Sequence, residues 1–369
     1  MSRFARTRRV FFFEEPVFED TQPRLLSSAC AKTGVTVVTP VLPQGLSPRQ
    51  ITDYQKSFLR SFLRDNEVKN YIAWYYTPMA LEFSSDLRPD VTVYDCMDEL
   101  SAFAGAPPAM RNNEVTLFEK ADLVFTGGAS LYESKRKQHP AVHQFPSSVE
   151  VAHFAKARSI QREPEDQANL PRPRLGYAGV IDERMDLDLI RGIASSRPDW
   201  QIVMLGPVVK IDPNALPQAK NIHYLGMKAY ADLPAYFSGW TIGMLPFALN
   251  DSTRFISPTK TPEYLAAGLQ VISAPIRDVI TPYSDLGLVK IANGVEEFIS
   301  AADSFLRSPM SSAVQTRIDH FLSQSSWDKT WSDMNQLIQT KLAFKHLPVN
   351  SRVQLAPLTS VAVKGASRV

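Results

Sequence analysis

The chain of 369 residues has only two cysteines, Cys30 and Cys96. So few exclude a disulfide-stapled scaffold, and no Cys-x-x-Cys pair or Cys/His cluster points to structural zinc. His139 and His143 are four apart, but Pro140 between them spoils the helical face that a metal pair would need. No apolar run approaches the roughly 20 residues of a membrane span, and no signal-peptide core is present, so a cytoplasmic protein is expected. Neither G-x-G-x-x-G nor G-x-x-x-x-G-K-[ST] occurs, which argues against a dehydrogenase or a P-loop ATPase. Charge of one sign is also lacking: the formal net charge is +2, which excludes a broadly basic nucleic-acid binder. Acid is missing only locally. No Asp or Glu follows Asp333, and Arg3, Arg6, Arg8 and Arg9 crowd the N-terminus. Two basic ends suit peripheral contact with an anionic membrane, at about 1 kcal/mol per exposed cation, but basic termini are common and a plain solvated tail is the default reading.

Apolar residues make up 44% of the chain, enough to fill two α/β cores. Short apolar runs read as strands at Val10–Phe13, Val35–Pro40, Tyr71–Tyr76, Val91–Tyr94, Leu123–Phe125 and Val142–Phe145. Amphipathic stretches at Arg24–Lys32, Arg49–Arg64, Ala109–Lys120 and Leu131–Lys137 separate them as helices. Strict alternation means parallel βαβ units and a doubly wound sheet. The alternation resumes at Leu175–Ala178 and runs through Ile202–Leu205, Ile222–Leu225, Ile242–Leu245, Val271–Ser273 and Val289–Ile291. Between the halves lies Gln161–Arg174, rich in charge and Pro, which reads as the linker. The expected organisation is therefore two Rossmann-like doubly wound domains, 1–160 and 175–326, joined by linker 161–174. A helix over 327–345 packs back across the domains, and 346–369 form a basic, disordered tail.

The most informative segment is Ser257-Pro258-Thr259-Lys260-Thr261-Pro262-Glu263-Tyr264-Leu265-Ala266-Ala267-Gly268. It predicts a short helix with Thr261 as N-cap, Pro262 at the first helical position and Gly268 as the stop. Its N-terminus and Lys260 suit a phosphate, whereas Glu263 suits sugar hydroxyls, unless both are merely solvated. Upstream, the strand ending at Ala178 leads into Gly179, where backbone can approach a ligand closely, and Arg184, which can fork onto a diphosphate. Asp186-Leu187-Asp188 matches a metal-binding Asp-x-Asp pattern, yet a helix cap and a first-turn acid explain it more simply.

Gly179 through Arg184, Leu205-Gly206-Pro207, Ile222 through Gly226, and Lys260-x-x-Glu263-Tyr264-Leu265-Ala266-Ala267-Gly268 resemble a bacterial GT-B glycosyltransferase of the family 4, or group 1, type. Val93 through Leu100 and Ala121 through Thr126 resemble the corresponding N-terminal segments of polysaccharide-building members. The resemblance implies a nucleotide-sugar donor, most simply a UDP-sugar, bound by the C-terminal domain without metal or cofactor. Arg184, Lys260 and the neighbouring Thr259 would hold the diphosphate, Glu263 the ribose, and Gly206, Pro207 and Leu225 the base. It also implies a glycan or lipid-linked acceptor on the N-terminal domain, and a retaining hexosyl transfer. Family members often carry a second Glu eight residues before the first, but position 255 is Phe, so Arg254 or Ser257 would substitute. Asp98, or less favourably Asp95, ends a central strand where a carboxylate can serve the acceptor, although either could cap a turn. Glu14, Glu15, Trp74 and Tyr75 also follow or end strands and would form an acceptor wall, against the alternative that the aromatics are core. Two further readings stay open: an epimerase on the same plan, and a degenerate nucleotide-sugar-binding partner protein.

Overall fold

The computed structural model describes residues 1–160 and 162–347. The tail expected from 346 onward falls, but for its first two residues, outside the described residues. In the N-terminal half the strands form two sheets. In one, β1 (Val10–Phe13) and β2 (Val17–Phe18) run parallel to successive parts of β4 (Val35–Leu42). The other edge of β4 is taken by β3 (Arg24–Ala29), antiparallel. A helix was expected there. The turn explains the difference: Gly34 has φ +70°, its N–H bonds to the Cys30 carbonyl, and this closes β3 and β4 into a hairpin. The second sheet is parallel, with β5 (Ile72–Tyr75), β6 (Val91–Cys96), β7 (Leu123–Thr126) and β8 (Val142–Gln144) side by side.

The C-terminal half is a six-stranded parallel sheet in the order β11-β10-β9-β12-β13-β14. Its strands are β9 (Arg174–Ala178), β10 (Gln201–Leu205), β11 (Ile222–Gly226), β12 (Ile242–Leu245), β13 (Gln270–Ser273) and β14 (Lys290–Ile291). Every residue of β9, β10 and β12 is buried, as strands covered on both faces must be. The winding reverses between β9 and β12, and in such sheets a crevice opens beyond the carboxyl ends of these two strands.

The crossover between the halves comes earlier than the Pro-rich stretch suggested. Val149, Phe154 and Ala157 already belong to the C-terminal core. Much of the expected linker is also fastened down, because the buried Arg174 guanidinium pairs with Glu163 and donates to the carbonyls of Leu170 and Gly239. Charge and proline here signal a tethered loop.

The last helix, Trp327–His346, returns across the molecule to the N-terminal half, where Met334 and Ile338 pack with Val91, Val93, Leu123 and Phe125. Arg3 and Arg6 both bond to Asp328 at its start, and Arg8 donates to Asn335. Three of the four N-terminal arginines thus fasten the chain start to this helix. Among the described residues no helix is long and apolar enough to cross a membrane. Ile338 is fully buried, so Ile338→Ala should lower the unfolding free energy by about 2–5 kcal/mol, read as a reduced urea midpoint.

Candidate active site

Two loops meet at the reversal point. The loop after β9 is hydrogen-bonded to the one after β12, with Asp186 N–H donating to Pro246 and Ala248 N–H to Arg184. A third loop, after β10, is pressed against the first: Gly206, at φ +136°, stands where a Cβ would lie 1.9 Å from the Gly179 carbonyl oxygen. A side chain at 206 would therefore break the junction. The Lys260 side chain crosses Gly179, since a Cβ there would lie 3.2 Å from the lysine Cε. Gly179, Gly206 and Lys260 are thus brought together as expected. Pro207 accepts from Ile181 N–H in the same junction, and Leu225 packs on the core from the end of β11.

Lys260 opens the helix Lys260–Ala266. The helix begins earlier than its sequence suggested: Thr259 precedes it, Pro262 lies within the first turn, and the Thr261 hydroxyl is buried without a partner. Proline is tolerated there because first-turn N–H groups have no intrahelical acceptor. Thr259 instead accepts a 3.0 Å hydrogen bond from Lys260 Nζ. Gly268 ends the helix at φ +83°, as its position predicted. Lys260 Nζ stands 4.0 Å from Glu263 Oε2. Burial raises the Glu263 carboxyl above its ordinary range, and Lys260 partly offsets this. Tyr230 stacks on His153, ring centroids 4.4 Å apart, and burial raises its hydroxyl pKa.

Arg184 is held by Asp182, which sequence reasoning missed, although the Asp-x-Arg spacing is a legible signal. Its Nε lies 2.9 Å and 3.1 Å from the two carboxylate oxygens, and its Nη2 lies 2.6 Å from one of them. Phe103, from the N-terminal half, lies 5.5 Å from the guanidinium carbon. Asp98 comes from that same loop and faces Arg184. Burial raises its carboxyl pKa, and the Arg184 charge works in the opposite direction. The structure therefore brings Phe103, from the loop that also bears Asp98, against Arg184 of the other half, with Asp98 within reach of its charge.

Other expected site residues lie elsewhere. Asp95 is buried on the sheet face occupied by Trp74, whose Nε1 donates to it at 3.1 Å, and its second oxygen has no partner. It does not share the cleft with Asp98. Trp74 packs edge-on against Phe4, and Tyr75 is core with its hydroxyl on Ser84, so the core reading of these aromatics holds. Glu14 accepts from Thr39 at 2.8 Å and Glu15 is exposed; among the described residues no contact joins either to Arg184 or Lys260. Phe255 packs against the N-terminal cluster of Tyr75, Leu117 and Leu131, with exposed Arg254 over its ring. Ser257 abuts Gly128 of the other half. Asp186 caps its helix by accepting from Leu189 N–H at 2.8 Å, and Asp188 pairs with Arg191. Among the described residues no group of three or more His, Cys, Asp or Glu could hold a metal ion.

Burial pushes the Asp95 carboxyl up to about 7 from 3.8. A raised folded-state pKa means that the native protein binds this proton more tightly than the unfolded chain, so stability declines as pH climbs from about 4 through 7. Asp95→Asn should therefore be more stable than the parent above pH 7, with the gain vanishing below about pH 4. Thermal unfolding at both ends of that range checks this.

No protein-family model matches the chain. Over 222 residues it is 25% identical to "Putative teichuronic acid biosynthesis glycosyltransferase TuaH" of Bacillus subtilis (strain 168), covering 54% of each chain. The chain thus spans about half the length of this curated relative. Among solved structures it resembles sucrose-phosphate synthase from Thermosynechococcus elongatus, with TM-score 0.68 and 13% identity over 93% of this chain and 91% of that one. Anabaena HepE, in complex with UDP and glucose, gives TM-score 0.62 at 13% identity, covering 84% and 87%. A UDP-forming α,α-trehalose-phosphate synthase from Burkholderia xenovorans, in complex with glucose-6-phosphate, gives 0.61 at 12%, covering 89% and 92%. At such identities the likeness is one of fold, and it extends through both halves. With two Rossmann-like halves, a sheet whose winding reverses between β9 and β12, and a closing helix, the chain has the GT-B glycosyltransferase fold.

Proposed function

We propose that the protein is a glycosyltransferase that moves a hexose from a UDP-sugar to a surface-polysaccharide or lipid-linked glycan acceptor, in the cytoplasm and without a bound metal ion. One observation carries this reading: Arg184, in the loop after β9, and the Lys260–Glu263 pair, in the first turn of the helix before β13, sit together at the switch point, with the loop bearing Asp98 and Phe103 across from Arg184. The names of the similar proteins support it. HepE was solved with UDP and glucose, the trehalose-phosphate synthase is UDP-forming, and TuaH is named for teichuronic acid biosynthesis.

In this reading Lys260 and Arg184 supply the fixed positive charge that a leaving diphosphate needs, and Glu263 accepts from the ribose hydroxyls. The bond from the anomeric carbon to the diphosphate breaks as the bond to the acceptor oxygen forms. Asp98 orients the acceptor hydroxyl on the face from which the diphosphate departs, and the hydroxyl proton passes to the departing diphosphate, so the same-face substitution keeps the anomeric configuration. Nothing acidic stands at position 255 to contact the sugar, so polar contact on that side would come from exposed Arg254, Ser257 or backbone N–H groups.

The test is incubation with a panel of nucleotide-sugars and a lipid-linked acceptor extract, followed by mass spectrometry of sugar and nucleotide products. Transfer from a UDP-sugar should persist in EDTA, and Lys260→Ala or Glu263→Ala should each lower it by about 10²-fold or more with the fold intact. Unchanged turnover in both variants sinks the assignment of the site. Epimerised free donor formed without acceptor would favour an epimerase instead.

A further inference from the structure

A buried charge cluster in the N-terminal half has no direct part in the donor site. Lys135, the last residue of the helix Ala129–Lys135, is 3% exposed in its side chain. Its ammonium lies 2.8 Å from Glu99 Oε2, and 2.9 Å and 2.8 Å from the two oxygens of Glu114. Tyr94 donates its hydroxyl to Glu114 at 2.8 Å, and Ser101 donates to Glu99 at 2.9 Å. Burial works to lower the Lys135 pKa, but Glu114 and Glu99 outweigh it and hold the ammonium charged. Two carboxylates around one cation are costly to bury, so the cluster is a poor stabiliser compared with an apolar filling. It does join separate pieces of chain.

Those pieces are informative. Glu114 lies in the helix Met110–Lys120, whereas Glu99 lies in the loop after β6, next to Asp98. That loop has little else to anchor it, since no residue from 97 to 109 is fully buried. Its start rests on β7: a Cβ at Gly127 would lie 2.4 Å from the Met97 carbonyl oxygen, and Cys96 Sγ lies 3.6 Å from the Asp98 carbonyl oxygen. Further along, Phe103 lies against Arg184. The loop is thus tied to Lys135 through Glu99, next to Asp98, and meets Arg184 through Phe103.

We propose that Lys135 is a positioning residue, whose bridge from Glu114 to Glu99 sets the loop 97–109 so that Asp98 and Phe103 stand over Arg184. This rests on the transferase reading of the cleft. Without the ammonium, Glu99 and Glu114 repel each other and the loop loses its anchor while the donor side is untouched.

The experiment compares Lys135→Met, Lys135→Arg and the parent by hydrogen exchange, UDP affinity and transfer rate. In Lys135→Met, exchange across 97–109 should rise about tenfold or more while β9–β14 keep their protection. UDP affinity should stay within about twofold while kcat falls about 10²-fold, and Lys135→Arg should recover most of that loss. A merely structural lysine would instead weaken protection throughout the N-terminal half, or leave kcat unchanged in a folded variant, and either result overturns the proposal. Should Lys135→Met not fold, Glu99→Ala removes the acceptor that ties the loop and leaves the Lys135–Glu114 pair in place, with the same expected and overturning changes in loop exchange, UDP affinity and kcat. If the parent transfers no sugar, the transferase reading falls separately, and loop exchange alone then upholds or overturns the anchor.

Discussion

The C-terminal wall of the candidate site depends on one buried hydrogen bond, the 2.7 Å contact in which Ala178 N–H donates to the Tyr264 hydroxyl. Ala178 ends β9 immediately before Gly179, and Tyr264 lies in the helix that opens with Lys260. The bond therefore couples the two segments that form the cationic site. Tyr264 is fully buried, and leaving its partner N–H unsatisfied would cost about 1–3 kcal/mol. Its ring is seated by omission: a Cβ at Gly243 would come within 2.6 Å of it, and one at Gly176 within 2.0 Å of the neighbouring Trp240. The glycines in these strands make room for an aromatic layer beneath the site. Packing places Tyr264, Tyr264 orients the helix, and the helix carries Lys260 over Gly179.

The opposite wall is fixed by different means. The second half meets the first at Asp278, whose Oδ1 accepts from Ser130 N–H at 3.0 Å, at Ser257 against Gly128, and at Phe255 in the N-terminal cluster. Phe255 thus packs between the two halves. The last helix adds an apolar seam on the far face through Met334 and Ile338. Between these contacts the loop bearing Asp98 relies on polar anchors. A site built across two halves needs such seams, because orientation is lost if either wall drifts by an ångström.

This division explains what the sequence disclosed. The C-terminal sheet was legible because its parallel strands are fully buried apolar runs, and Gly179, Arg184, Lys260 and Glu263 lie in short segments with local turn and helix signals. The hairpin β3–β4 was not, because Arg24–Lys32 carries helix-compatible spacing and the Gly34 turn overrides it. Asp95 and Asp98 are three residues apart, and position at a strand end did not reveal that one faces the Trp74 side and the other the cleft. That choice is fixed by residues far away in the chain, Trp331, Met334 and Ile338, which cover the Trp74 face. The Lys135 cluster escaped for the same reason: Glu99, Glu114 and Lys135 show no common period.

Arg184 carries charge at the meeting of the two halves, with Phe103 of the other half over its guanidinium. Asp182 occupies its Nε and Nη2, which raises its pKa and ensures that it remains a cation. The remaining field falls on Asp98, where it opposes the burial that would otherwise favour the protonated acid. Burial is the larger influence on Asp98, and the Arg184 charge opposes it only in part. Neither carboxylate nor arginine can be assigned a role in isolation, and the geometry of the loop 97–109 determines how strongly they are coupled.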